Sequence, residues 1–568
     1  MATKNFYLFG EDISTAKEIQ IPAEIIDQHG DAQTTDLEDE LKQVVAHHFG
    51  VFESKGLSFS SVDQSLPTLS DVLSAEEPIA IAIDGHKVRQ VPHPKGLPYV
   101  GNFFQVYPDH LGNHQRLFDL YGPMIQTTNL GRTVYQTNDP NLANIFFSES
   151  EYFSKIITED HPLWPIKMPE AGIFLGDTNS KEWPVVHKFL APALGPKAVR
   201  HYATTMQHTV EEAFKVFDEL DERKESWNVY PYMLKLGSQA VGELVLGMDF
   251  KHFNSVDAPP HEMVALIAQS LALNKKISSR GSWYAHLPFG DPKRLQTMWS
   301  RIDELIGQSV NEAKSGGVED LELQEAAVKA ANMVDYAIRA VDNKGNKLPR
   351  EYLVSALLVA TGAGFTTTSS LLSWIIYGLV HYPGMQEKLL QELVDNDFDN
   401  KTQITADFTS KLTFQDKYIK EIQRRHNPAF QPARTAVRDV IVPGGYKLPK
   451  GAVVIPALHH IMNNPTLWDN PTSFDPERWD TPRVKERNKG TYTPFGSGAR
   501  MCIGFNFALQ EIKVFLPKLV YRYEFVKDDV DQTVEYDPEF QLIRPDNLFV
   551  RAQKRTSLPA KSATSGGK

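Results

Sequence analysis

Phe495-Gly496-Ser497-Gly498-Ala499-Arg500-Met501-Cys502-Ile503-Gly504 contains the only cysteine of the chain. Glycines at 496, 498 and 504 let a backbone bend tightly and approach a flat ligand with no Cβ in the way. Backbone N–H groups in such a turn can point at the sulfur, and Arg500 is placed to pair with an anionic edge of the same ligand. This is the pattern of a loop that hands a thiolate to a heme iron, where the sulfur donates electron density and favours O–O cleavage. The alternative, a buried structural cysteine in a glycine-rich turn, does not explain the arginine or the spacing. Cys502 is therefore read as the axial ligand, with Phe495 at the entrance of the loop.

Upstream lie Glu421-Ile422-Gln423-Arg424, whose Glu and Arg share a helix face at i, i+3, and Asp475-Pro476-Glu477-Arg478-Trp479. With these strings in this order before Cys502, the chain resembles the cytochrome P450 family. The resemblance implies that Glu421, Arg424 and Arg478 form the family's charge triad. Such a triad orients the region behind the ligand loop more than it stabilises it, since desolvation offsets the Coulomb gain. The implied cofactor is heme b (iron protoporphyrin IX) on a cysteine thiolate. Trp183 and His187, four residues apart, match the family's Trp-x-x-x-basic pair at a propionate. Arg434 matches the arginine at the other propionate, and His459 is placed near the same edge.

Between Leu353 and Val380 there is no charged side chain, a length that could span a bilayer of about 20 residues. The centre argues against a membrane span. Thr361-Gly362-Ala363-Gly364-Phe365-Thr366-Thr367-Thr368-Ser369-Ser370 is small and hydroxyl-rich, and the flanks carry no basic bias. In the family this is the buried helix over the distal heme face, and Ala363-Gly364 matches the place where backbone leaves room for dioxygen and substrate. The chain departs from the family two positions further on. Thr366 stands where an acid is usual, followed by Thr367 at the usual alcohol. That pair normally moves protons to bound oxygen, so proton delivery is expected to be slowed, rerouted or tuned differently.

Within the family the likeness is to the heme domains of self-sufficient fatty-acid hydroxylases, over roughly residues 91–555. There a Gly-Arg near the first sheet attracts a substrate carboxylate at the channel mouth. Gly131-Arg132, with Tyr135 nearby, is the match, and Phe174 falls where that subgroup sets an aromatic against the heme. No flavin- or nicotinamide-binding stretch follows the heme region. Electrons are thus expected from a separate NADPH-dependent flavin reductase, or oxidant from peroxide. Arg483, Lys485, Arg487, Lys489 and Arg500 suggest a basic rim for an acidic redox partner on a chain of net charge −12.

At 568 residues, 41% hydrophobic and 23% charged, the chain can bury a large core. A single cysteine excludes a disulfide framework and suits a reducing compartment. The N-terminus shows neither a signal peptide nor a membrane anchor, which makes cytoplasmic the expected location, with peripheral membrane contact open. Neither a zinc cluster, a phosphate loop nor a nucleic-acid face stands out. The expected architecture is mainly α with small sheets (α+β): residues 1–90 as a small α+β unit, 91–555 as the heme domain, 556–568 as a disordered tail. Strand-like runs at 5–9, 17–21, 57–59 and 79–83 with an amphipathic helix at 36–46 resemble a ubiquitin-like roll, either an interaction module for a partner protein or a brace. The expected function is hydroxylation or epoxidation of a hydrophobic substrate with O2. A heme-thiolate peroxygenase or isomerase, motivated by Thr366, and a non-catalytic heme sensor or scaffold remain as alternatives.

Overall fold

Ile79-Ala-Ile-Ala-Ile83 has side chains that are apolar on both faces, and such a run belongs in the middle of a sheet. In the computed structural model, which describes residues 2–27, 34–61, 64–76, 78–168, 170, 172–314, 319–429, 432–528 and 533–562, it is a central strand. The chain forms two compact units: Met1–Phe103, His114–His161 and Ala433–Pro456 in one, Phe104–Asn113, Pro162–Pro432 and Ala457–Lys568 in the other. This division does not fall at residue 90.

In the first unit, β1 (Ala2–Leu8) and β2 (Lys17–Ile21) make a hairpin, followed by a helix, Thr34–Phe49, that buries Leu37, Leu41 and Val45 at helical spacing. β3 (Leu57–Ser60) and β4 (Ile79–Ile83) complete a sheet of order β2-β1-β4-β3, with β4 parallel to β1 and antiparallel to β3. Between them the short helix Leu69–Ser74 starts on a reciprocal Thr68–Asp71 capping box. The remaining strands of this unit are β5 (Arg89–Gln90), β6 (Met124–Asn129), β7 (Arg132–Thr137), β8 (Phe153–Ser154), β9 (Arg434–Ala436), β10 (Val440–Val442), β11 (Tyr446–Leu448) and β12 (Val453–Pro456). They build a five-stranded sheet, β6-β7-β12-β9-β8, and a three-stranded one, β10-β11-β5.

The N-terminal roll is joined to these sheets through its core. Phe52 N–H donates to Ile441 O at 2.9 Å and Ile441 N–H to Gly50 O at 2.8 Å. The Ile441 side chain is buried in the same apolar cluster as Phe6, Leu41, Ile79 and Ile81. β5 pairs in parallel with β11, and Arg89 stacks on the Tyr446 ring, 4.4 Å from its centroid.

The second unit is mainly helical. Its axis is the helix Arg350–His381, buried on nearly all sides, which is how a helix apolar all round is accommodated in a globular core. It is the one helix among the described residues long and apolar enough to cross a membrane, and 67% of its most apolar window is buried inside the protein. It lies closely against the helix Val229–Val241: Ser369 donates to Met233 O at 3.0 Å, and a Cβ on Gly237 would come within 2.8 Å of Ser369 Oγ. The helix Phe505–Arg522 leads out of the cysteine loop into a strand, Tyr523–Lys527, that pairs with Phe549–Lys554. Residues 556–562, expected within a disordered tail, lie against the helix Met385–Asp395, with Ser562 N–H on Asp395 at 2.8 Å and Gln391 on Ala560 O at 2.9 Å; the rest of that tail, 563–568, lies outside the described residues.

Candidate active site

The cysteine loop is a stack of turns. Gly496 N–H bonds Thr493 O, Met501 N–H bonds Gly498 O, and Cys502 N–H bonds Phe495 O at 2.9 Å. Gly496 and Gly498 take φ of 73° and 74°, a region costly for any residue with a Cβ. The loop thereby leaves Cys502 exposed on one side. Surrounding protein nevertheless pushes the thiol pKa up, opposed by the Gly504 N–H aimed at the sulfur. Phe495 is half-buried and meets Phe505 at 6.1 Å.

Behind the loop the expected triad is present. Arg424 binds Glu421 through two hydrogen bonds of 3.0 and 2.9 Å, and Arg478 Nε adds a third at 2.9 Å. Glu421 also accepts from Trp479 Nε1 and from Asp475 N–H. Spare guanidinium donors reach Met462, Pro471, Asp469 and Ser473 carbonyls. Every charge in this buried knot is satisfied, the condition under which burying ions is tolerable. The helix carrying it, Thr413–Arg425, is tied to the ligand loop by Tyr492 OH on Gln423 and, just past its end, by Asn427 Nδ2 on Pro494 O.

Trp183 and His187 lie on the helix Glu182–Leu190 with rings 5.3 Å apart, and the Arg500 guanidinium sits 5.1 Å from the Trp183 ring. Arg500 also donates to Thr178 Oγ1, Ile173 O and Gly176 O at 2.7–2.8 Å. It therefore clasps the 173–178 loop to the ligand loop. Burial and the Arg500 charge hold the His187 pKa below its usual value. Phe174 is 47% exposed although both its neighbours are buried.

On the long helix, Ala363 is exposed and Gly362, Gly364 and Thr367 are partly so, whereas Phe365, Thr366 and 368–370 are buried. The opening is thus confined to one small-residue face. Thr366, Thr367 and Thr368 each donate to the carbonyl four residues back, at 2.7, 2.8 and 3.0 Å. Such back-bonding satisfies the hydroxyls and loosens the local helix.

The fit to a propionate-bearing macrocycle can be judged on buried donors. Arg434 is 2% exposed and pairs with Glu149 at 3.1 Å, yet its buried Nη2 has no hydrogen-bond partner among the described residues; neither does His459 Nδ1. Burial pushes the Arg434 pKa down and the His459 pKa well down. A buried guanidinium with an open donor suits an anionic ligand edge. Within the helical unit, His459, the Cys502 loop and the open face at 363–367 fit heme.

Several expectations change. Tyr135 is not at a channel mouth but in the apolar core of the β6–β7 layer with Met124, Leu142 and Phe146. Arg132 follows a two-residue turn in which Leu130 and Gly131 both have positive φ; it is buried and donates to Asp160 O, with its charge beside the Asp160 carboxylate. The basic rim shrinks as well. Arg487 is packed among Trp468, Trp479 and Tyr492, 5.0 Å from the Trp479 ring centroid, and Arg483 pairs with Asp469. Lys485 and Lys489 remain exposed. One residue went unremarked in the sequence. Glu511, nine positions past Cys502, is fully buried, neither oxygen has a hydrogen bond of good geometry, and burial pushes its carboxyl well above the usual range, opposed only by Thr368. Its position on the buried face of the helix after the cysteine was the available signal.

A thiolate-presenting loop and a hydroxyl-lined, locally open helix define a heme-thiolate oxygenase. The model of the family described as Cytochrome P450 matches residues 91–550. The chain is 44% identical over 566 residues to the cytochrome P450 monooxygenase alnD of Emericella nidulans, covering 99% of this chain and 100% of that protein. Cytochrome P450 4F3 of Homo sapiens is 25% identical over 407 residues (70% of this chain, 77% of that one), and leukotriene-B4 omega-hydroxylase 3 of Mus musculus 29% over 252 residues (44% and 48%). The solved cytochrome P450DA heme domain matches at a TM-score of 0.71 and 21% identity, over 82% of this chain and 98% of that one, a likeness of fold. The chain belongs to the cytochrome P450 family. It is a P450 monooxygenase that uses heme with a cysteine thiolate as axial ligand, which replaces the non-catalytic scaffold alternative.

Proposed function

We propose that this enzyme hydroxylates or epoxidises a hydrophobic substrate of fatty-acid or secondary-metabolite type, using O2 and two electrons from a separate NADPH-dependent flavin reductase. The observation that carries it is the Cys502 loop together with the open Ala363–Thr367 face of the long helix. Bound heme supplies dioxygen activation and the transfer of one oxygen atom. Cys502 provides the thiolate, and the Gly504 N–H steadies its charge. His459, Trp183 and His187 would hold the ligand edge, with Arg434 a further candidate by the family resemblance, and Arg500 fixes the loop that carries Phe174 against the ligand loop. Ala363 presents only a methyl group on the open face, and Gly364 lets the helix lie close to Val241. Thr367 can turn its hydroxyl from the Ala363 carbonyl to donate to oxygen or to an ordered water.

The relative named for ω-hydroxylation of leukotriene B4 supports a long lipophilic substrate. The engagement of Arg132 with Asp160 removes the support for that arginine as its carboxylate anchor. Exposed Lys485 and Lys489 leave a smaller basic surface for the reductase. The enzyme is proposed to act in the cytoplasm, with residues 1–90 serving chiefly as a brace, a reading supported by the shared Ile441 core; docking of a protein partner on the roll is the second use. Thr366, buried and bonded to Gly362 O, favours one further reading, a peroxygenase that draws oxidant from peroxide.

The test is spectroscopic first. The dithionite-reduced, CO-bound holoenzyme is expected to show a strongly red-shifted Soret band, lost in Cys502→Ser; an unchanged band in that variant overturns the assignment. Long-chain fatty acids are then expected to shift the spin state and to gain one atom of label from 18O2 when reductase and NADPH are present. Product from peroxide alone, with none from reductase and NADPH, would replace the monooxygenase reading by the peroxygenase one.

A further inference from the structure

Beyond the heme site, the far end of the long helix carries a connected set of oxidisable rings that the oxygenation chemistry does not use. Trp374 follows Thr367 by seven residues, two turns on the same face and about 10 Å along the axis. It is 5% exposed and donates its indole N–H to Ile543 O at 3.1 Å. Its ring stacks on His426 at 4.6 Å and 15°, and meets Tyr377 edge-on at 5.3 Å. Tyr377 lies 5.1 Å from His426, 3.9 Å from His381 and 5.9 Å from Tyr382. Tyr382 stacks on Phe474 at 4.0 Å, and its hydroxyl is 2.8 Å from His426 Nε2. Tyr377, His381 and Tyr382 are partly exposed, so the series runs from a buried indole to the surface. His426 precedes Asn427, which bonds the ligand loop.

The pairing of Tyr382 with His426 has a consequence for oxidation. Burial raises the phenol pKa and lowers that of the imidazole, so the phenol is the donor and Nε2 the acceptor. A phenol is oxidised readily only when its proton has somewhere to go, and here the acceptor is already in place.

We propose that Trp374, Tyr377 and Tyr382, with His426 as proton acceptor, form an electron path that discharges oxidising equivalents from the heme site to the surface when no substrate is bound. It rests on the heme site proposed above. An electron leaves the Trp374 indole toward the heme and is replaced from Tyr377 and Tyr382. Tyr382 loses one electron, and its phenolic proton passes to His426 Nε2, leaving a neutral phenoxyl radical. At the surface a small-molecule thiol returns the electron, and the proton returns from His426. Two cycles consume one hydrogen peroxide and two thiols and give one disulfide and two waters, a thiol peroxidase activity that spares the protein from self-oxidation.

The experiment treats the substrate-free holoenzyme with hydrogen peroxide, freezes it within milliseconds and records the electron paramagnetic resonance spectrum, with Soret bleaching followed in parallel. The wild type is expected to show a tyrosyl radical that glutathione removes. Trp374→Phe should lower that signal at least tenfold and speed bleaching several-fold. Tyr382→Phe, which removes a single oxygen atom, should lower it several-fold and abolish its quenching by glutathione. The reduced CO spectrum of each variant separates failure of the path from failure of the heme site: a normal red-shifted band with wild-type radical yield and bleaching in both variants overturns the path alone. Should Trp374→Phe not assemble, Tyr382→Phe decides by the same criteria.

Discussion

A carboxyl buried without a cationic partner makes stability depend on pH, and Glu511 is such a group. Burial raises its folded pKa well above the usual carboxylate range. Between the unfolded and the folded pKa the unfolded chain releases the proton while the folded chain retains it, so this residue's contribution is fully present at low pH and is lost as pH rises through the folded pKa. Urea unfolding of the holoenzyme between pH 5 and pH 8 should therefore show a decline that Glu511→Gln, a neutral isostere, largely removes. An unaltered slope in the variant would mean that the carboxyl titrates normally. Thr367 gives a second prediction at this scale. Its hydroxyl is the one partly exposed alcohol on the open face of the long helix. Thr367→Val should leave NADPH consumption near wild type and cut product per NADPH several-fold, with the missing electrons recovered as hydrogen peroxide. Coupled turnover at the wild-type ratio would remove Thr367 from the oxygen chemistry.

At the scale of elements, the long helix and the helix Val229–Val241 approach through small residues. A methyl group on Gly237 would lie 2.8 Å from Ser369 Oγ, whose hydroxyl is committed to Met233 O. Gly237→Ala should cost about 1–3 kcal/mol by overpacking, and adding Ser369→Gly should restore part of it, a coupling that a double-mutant cycle measures. Strict additivity would show that the helices shift apart instead. Much of this level was legible in the sequence. The uncharged run 353–380 announced the buried helix 350–381, because helical periodicity is a local property, and the triad of Glu421, Arg424 and Arg478 was legible through the family resemblance. What was not legible depended on contacts distant in sequence. Arg487 reads as a surface charge until Trp468, Trp479 and Tyr492 surround it, and Arg132 until it meets Asp160. Tyr135 looked like pocket because it lies near Arg132, yet on β7 its side chain belongs to the sheet core.

At the scale of the molecule, the N-terminal roll can be tested for independence. Its strands form a sheet of their own, but Ile441, nearly four hundred positions later, completes the core beneath them and exchanges two backbone hydrogen bonds with Gly50 and Phe52. Phe52 in turn packs on Tyr152 at 5.4 Å and on Phe153 at 6.3 Å. A side chain shared between two sheets couples their opening, since a cavity there weakens both at once. Ile441→Ala should lose about 2–5 kcal/mol. Hydrogen exchange should then speed in β1 and β4 together with β10 and β11, while the triad helix Thr413–Arg425 stays protected. If β1 and β4 kept wild-type protection, the roll would be a separately folded module and the protein-docking use of residues 1–90 would gain over the brace. Joint loss of protection, with the CO spectrum unchanged, would mean that the extension supports the sheet region and that the Cys502 thiolate does not depend on it.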